Sequence, residues 1–214
     1  SWRPAPPPAL PVPQLIERLG GEEPTEAVWR LVHTPNAVPD LIAALETAEG
    51  DKRYWTAVAL AGLDRREATR ELIRHLEGRT DLSSPKVHNS VPRWLASLCL
   101  LGRLGDREAT PAIASVLQDP AVELDALIAA VRALGRIGDA SAVPAIEAML
   151  ERKDLPTQRE LPRQRQTALT VEDARWQIDL AAAEALDLLG KARKDLAEEH
   201  LGDERILVRR YARR

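Results

Sequence analysis

The chain has 214 residues, 44% hydrophobic and 29% charged, which suits one domain of moderate size or a short repeat array that folds and stays in solution. A formal charge of −3 leaves no global basic field for a nucleic acid or an anionic membrane, and no apolar run approaches the ~18–20 residues that span a bilayer. One cysteine, Cys99, excludes an internal disulfide and a cysteine-built zinc site.

Residues 1–11, with Arg3-Pro4-Ala5-Pro6-Pro7-Pro8-Ala9-Leu10-Pro11, predict a polyproline II arm or linker. The sequence opens at Ser1 and not at Met, which leaves the compartment open between the cytoplasm and export after loss of a signal. From Val12 a helix is expected to about residue 20, built on Val12-Pro13-Gln14-Leu15-Ile16-Glu17-Arg18-Leu19. Pro is tolerated in a first turn, where its missing N–H has no intrahelical partner, and apolar steps of three and four make one stripe. A second helix follows near 23–33. The first pattern then returns as Val38-Pro39-Asp40-Leu41 within 36–48, with a companion at 51–63, and again as Thr69-Arg70-Glu71-Leu72 within 66–77.

Further on, helices are expected at 90–104, 107–118, 121–137, 140–152, 171–189 and 192–201, with Asp203 to Tyr211 opening one more. The pattern starts at 12, 38, 69, 110 and 143, at spacings of 26, 31, 41 and 33 residues, which marks stacked two-helix units. The joint is clearest in two near duplicates, Leu101-Gly102-Arg103-Leu104-Gly105-Asp106 and Leu134-Gly135-Arg136-Ile137-Gly138-Asp139. Gly after the last apolar residue permits a left-handed C-cap, and Asp then caps the next helix. Phe is absent, so Leu, Ile, Val and Ala must fill the core. Leu98, Leu100 and Leu101 around Cys99 predict a buried thiol.

The segment Leu134-Gly135-Arg136-Ile137-Gly138-Asp139-Ala140-Ser141-Ala142-Val143-Pro144-Ala145-Ile146 resembles the HEAT-like repeats of the phycobilisome-lyase type, and the likeness runs from about Val12 to Leu201. The resemblance implies an all-α fold, a right-handed α-solenoid of about five HEAT-like hairpins, with first helices on the convex face and second helices on the concave one. The array would cover 12–201. Residues 202–214 would be a terminal cap or the start of a further repeat.

Two surfaces stand out. On the second helices the positions Ala112, Ser115 and Val116, and likewise Ala145, Ala148 and Met149, carry no charge where a solvated face normally does, which predicts a smooth groove for a protein segment. The alternative is that a neighbouring repeat, a loop or the tail covers them. The two long connections, 78–89 and 153–170, both run from a second helix to a first helix. The later one holds Arg159, Arg163 and Arg165, and residues 152–170 have a balance of +3, which suits an acidic partner or a phosphate; a plain solvated loop is the other reading. Helix 90–104 is apolar nearly all round, with Trp94, and Trp55, Val58, Ala96 and Cys99 fall in one register, so a cover such as the Pro-rich arm is expected there.

No catalytic, metal-binding or cofactor-binding motif accompanies these surfaces. His33, His75, His88 and His200 are far apart, and none forms the His-Glu pair that binds di-iron in HEAT-like deoxyhypusine hydroxylases. Trp55, Trp94 and Trp176 lie on first helices, away from the cleft that HEAT-like DNA glycosylases use, although Arg205, Arg209, Arg210, Arg213 and Arg214 leave a local nucleic-acid contact open. The expectation is a non-catalytic scaffold for a protein partner, with no membrane insertion and no small-molecule substrate. An accessory domain of a larger enzyme and a nucleic-acid-binding protein are the alternatives.

Overall fold

In the computed structural model, residues 10–80, 86–87, 91–161 and 170–213 are described. The chain divides into two compact units, residues 1–74 and 75–214. In the first, α1 (Val12–Arg18) and α2 (Pro24–Val32) form one hairpin, and α3 (Val38–Thr47) and α4 (Gly50–Gly62) the next. Pro13, Pro24 and Pro39 occupy first turns, where a missing N–H costs no helical bond. Between these hairpins α2 packs on α4 and α1 on α3. Leu15, Leu19, Leu31, Leu41, Leu60 and Tyr54 are fully buried among them. A 3-10 turn at Arg66–Ala68 leads into α5 (Thr69–Glu77), whose buried Glu71 is neutralised by Arg53 at 2.9 Å and by Arg74.

The second unit stacks three long first helices side by side: α6 (Arg93–Leu104), α8 (Leu124–Ile137) and α10 (Arg175–Leu188). The second helices α7 (Thr110–Val116) and α9 (Val143–Leu150) pack on α8 and α10, respectively. The duplicated glycine motif explains the close stack. A Cβ on Gly102 would lie 2.6 Å from Ala133 Cβ, and one on Gly135 would lie 2.8 Å from Ala185 Cα, so each glycine lets the neighbouring backbone approach. The C-terminal glycines of the same motif, Gly105 (φ 64°) and Gly138 (φ 70°), take the left-handed conformation that ends a helix. Asp106 and Asp139 then accept from the Glu108 and Ser141 amides to start 3-10 turns that run into α7 and α9. Arginines satisfy carbonyls where these second helices end: Arg79 donates to Ser115 O (3.4 Å), Arg152 to Leu117 O (2.5 Å) and Arg175 to Leu150 O (3.1 Å).

The two long connections are not plain loops. The first contains an antiparallel pair, β1 (Lys86–Val87) and β2 (Val91–Pro92); the second contains β3 (Gln158–Leu161) paired with β4 (Thr170–Asp173), in register from Gln158↔Asp173 to Leu161↔Thr170. Ala174 N–H donates to Thr157 O at 2.6 Å and Leu155 is buried, which ties the base of the second ribbon to the helices. These ribbons delay the following helices, so α6 begins at Arg93 and α10 at Arg175, later than the apolar pattern suggests. Two short helices, α11 (Lys194–Glu198) and α12 (Ile206–Ala212), close the described chain and pack on α10.

Candidate protein-docking site

The faces of α8 and α10 that are turned away from the second helices meet α11 and α12 around a groove of about 900 Å³. The α8 wall, from Asp125 to Arg136, is about 16 Å long at ~1.5 Å per residue, room for three turns of a docked helix. Its floor is apolar: Ile128, Ala129, Leu180 and Ala183, with Trp176 and Leu188 toward the two ends of α10. Charges of both signs form the rim, Arg132, Arg136 and Lys194 against Asp125, Glu184 and Asp187. An apolar floor with a mixed polar rim is the anatomy of a protein interface.

One end of the groove is held by a charged clasp. Tyr211 lies 6.3 Å from Trp176, ring centre to ring centre, and the Arg205 guanidinium stands 5.7 Å from the Trp176 ring. Arg205 is fixed by Asp203 at 2.7 Å and Glu172 at 2.5 Å. Hydrogen bonds from the Arg205 side chain and amide hold the Asp203 carboxyl far below the usual carboxylate range, and the same contacts push Arg205 higher still. Beneath the clasp, buried Asp179 accepts from Arg175 Nε at 2.7 Å and meets His200 Nε2 at 3.1 Å, which locks the chain after α11 onto α10. These groups are structural ties. Among the described residues, no three His, Cys, Asp or Glu are placed to hold a metal ion. Nor, among them, is any helix long and apolar enough to cross a membrane.

Comparison with known proteins places this architecture. Residues 89–161, which span α6 to α9, match the family model of HEAT repeats. That segment is similar to HEAT repeats. Twelve chains of solved structures match it. One belongs to the complex of CpcE and CpcF of phycocyanin lyase from Nostoc sp. PCC7120, with 23% identity and a TM-score of 0.55 over 99% of this chain and 77% of that one. That likeness supports the all-α solenoid class. No curated protein matches the chain.

Within these HEAT-like repeats the predicted groove residues do not share one surface. Ala112, Val116 and Met149 are buried, so they belong to the core. The apolar stripe of a second helix is wider than a single row: on α7 it takes in Ala112 and Ile113, then Val116 and Leu117. Ser115 and Ala148 are exposed and Ala145 is half-buried. The backbone of Arg159 lies in β3, while its side chain, Arg163 and Arg165 lie outside the described residues, as do His88 and residues 1–9 of the Pro-rich arm.

Cys99 also departs from expectation, for it is exposed. Leu98 and Leu101 point into the core, and a residue one step along a helix turns about 100° away from its neighbour. Apolar surroundings still desolvate the thiol and push its pKa up, against a smaller opposing pull from Arg136. Trp55 is buried, whereas Trp94 is half-buried on α6. The residues sequence reasoning missed are Leu180, Leu188 and Tyr211. The signal for Tyr211 was an aromatic residue in a tail otherwise read as basic, while Leu180 and Leu188 lie on the expected helix 171–189.

Proposed function

We propose that this HEAT-like protein is a non-catalytic binding module that holds a protein partner along the groove lined by α8, α10, α11 and α12. One observation carries the reading. Leu188 and Tyr211, two of the seven large hydrophobic residues exposed among the described residues, both line this groove. Large apolar side chains left exposed together in a groove mark a docking site. Trp176 and Tyr211 supply aromatic anchors of the kind that dominate interfaces, and the groove length suits a helix presented by its apolar face. The similar solved structure is itself a complex of two named subunits. Its description as a lyase favours a second reading, in which this module is the accessory subunit of a two-chain enzyme and the partner bears the chemistry.

The test is affinity purification from the native source, identification of the retained protein by mass spectrometry, and reconstitution of binding with purified components. Leu188→Glu together with Ala129→Arg should abolish binding while the helical circular dichroism persists. A parallel variant, Ser115→Arg with Ala148→Arg, probes the second-helix surface. Loss of binding only in the latter would move the site to the second helices, and retention in both would refute the groove. Activity of the reconstituted pair toward a lyase substrate would favour the accessory-subunit reading.

A further inference from the structure

The groove accounts for Tyr211 and Ala212, but not for the opposite side of α12. Val208 is 1% exposed and anchors the helix, while Ile206 and Leu207 are 72% and 65% exposed. At 3.6 residues per turn, Ile206, Arg210 and Arg213 share the arc opposite Val208, with Leu207 at its flank. Arg210 and Arg213 have no ion-pair partner among the described residues. This face is therefore an aliphatic knob beside two unneutralised guanidinium groups. A helix apolar on its buried side and also on its outer side lacks a neighbour.

A matching surface exists on the first unit. Beside the start of α2 lies a notch of about 310 Å³, floored by Leu15 and Ala27 and rimmed by Glu22, Glu23 and Glu26. Arg30 and Arg18 also reach it, but Arg30 is neutralised by Glu26 at 2.6 Å. Glu22 and Glu23, like the two arginines of α12, have no ion-pair partner among the described residues. Trp29 is 62% exposed on the side of α2 opposite buried Ala27 and Leu31, and is stacked on His33 with ring centres 4.7 Å apart. The notch far exceeds the ~30 Å³ share of a water molecule, so an aliphatic side chain has room to enter it.

We infer that the outer face of α12 in one copy docks into the Glu22–Glu23 notch of another copy, a head-to-tail contact between identical chains. Ile206 and Leu207 fill the notch against Leu15 and Ala27. Arg210 and Arg213 face Glu22 and Glu23 at its rim. A hydrophobic knob complementary to a pocket elsewhere on the same molecule makes a heterologous contact, which leaves a free knob and a free notch on each pair and so extends. This contact is independent of the α8–α10 groove and of whatever protein occupies it.

The test is sedimentation velocity of the full chain at low salt, from micromolar to millimolar concentration. The wild type should gain average mass with concentration, and the gain should weaken as salt screens the rim charges. Arg210→Glu with Arg213→Glu, and separately Glu22→Arg with Glu23→Arg, should each move the association midpoint up by about tenfold or more, about 1.4 kcal/mol. Mixing these two variants pairs an acidic tail with a basic head and should restore association, as should all four substitutions in one chain. The four substituted positions, Arg210, Arg213, Glu22 and Glu23, are exposed, so the variants should keep the wild-type helical signal. A wild type that stays monomeric throughout, or variants that associate as well as the wild type or fail to rescue each other, would overturn the contact.

Discussion

Replacing Gly102 by Ala places a methyl group 2.6 Å from Ala133 Cβ and 2.8 Å from Ala133 Cα, closer than real Cβ atoms approach. One of the two atoms is backbone, so the clash is relieved only if α6 and α8 move apart. Overpacking of this kind costs about 1–3 kcal/mol. The same substitution in an unencumbered helix would instead stabilise by about 1 kcal/mol, because Ala is the better helix former. The net expectation is a loss of up to about 2 kcal/mol, or a fall in Tm of up to roughly 8 °C for a chain of this size. Urea and thermal unfolding followed by circular dichroism would measure it. Gly135→Ala should behave alike, since its Cβ would meet Ala185 Cα at 2.8 Å. Ala133→Gly should recover part of the loss when combined with Gly102→Ala, since it removes the closer of the two atoms. If Gly102→Ala equals or exceeds the wild type in stability, the first helices do not approach through this glycine and the stacking argument fails.

Three further outcomes follow from the geometry. Asp179→Ala should destabilise by about 1–3 kcal/mol and release the α11–α12 segment, because Arg175 and His200 lose their buried acceptor; faster hydrogen exchange confined to residues 194–213 would report it. Asp139, Asp154, Asp195 and Asp203 all have carboxyls held below their ordinary range, by the Ser141 amide in the first case and by arginine side chains in the others. A depressed folded pKa contributes stability that is complete above about pH 4 and is lost as the pH falls through the lower folded values; Asp203→Asn should flatten that acid limb, and an unchanged profile would contradict it. Cys99 should react with a maleimide in the native protein, slowly at neutral pH and faster above the ordinary thiol range, whereas a core thiol would react only on unfolding.

The helices were legible because each copy of the pattern starts with Pro or a β-branched residue in the first turn and ends at a residue that can leave the helix. The caps were legible for the same local reason: Gly105 and Gly138 with Asp106 and Asp139 need no tertiary context. The ribbons were not. β1 and β2 are two residues each, and β3 and β4 carry no tight-turn signal between them, so their pairing leaves little trace in sequence. Three of the expected groove residues turn out to be buried because periodicity separates an apolar side from a polar one but does not say how wide the buried arc is. Ala112, Val116 and Met149 therefore looked like an open groove although they are buried. The groove actually found gathers Ile128, Leu180, Leu188 and Tyr211 from segments up to 83 residues apart, a juxtaposition that helix packing creates and spacing alone does not announce.

Hydrogen–deuterium exchange of the chain, with and without the partner recovered by affinity purification, addresses the central claim without altering a residue. Added protection in residues 125–136, 176–188 and 206–212, and no change on α7 and α9, is the predicted result. Protection confined to the second helices or the ribbons, with α8 and α10 unaffected, would contradict it.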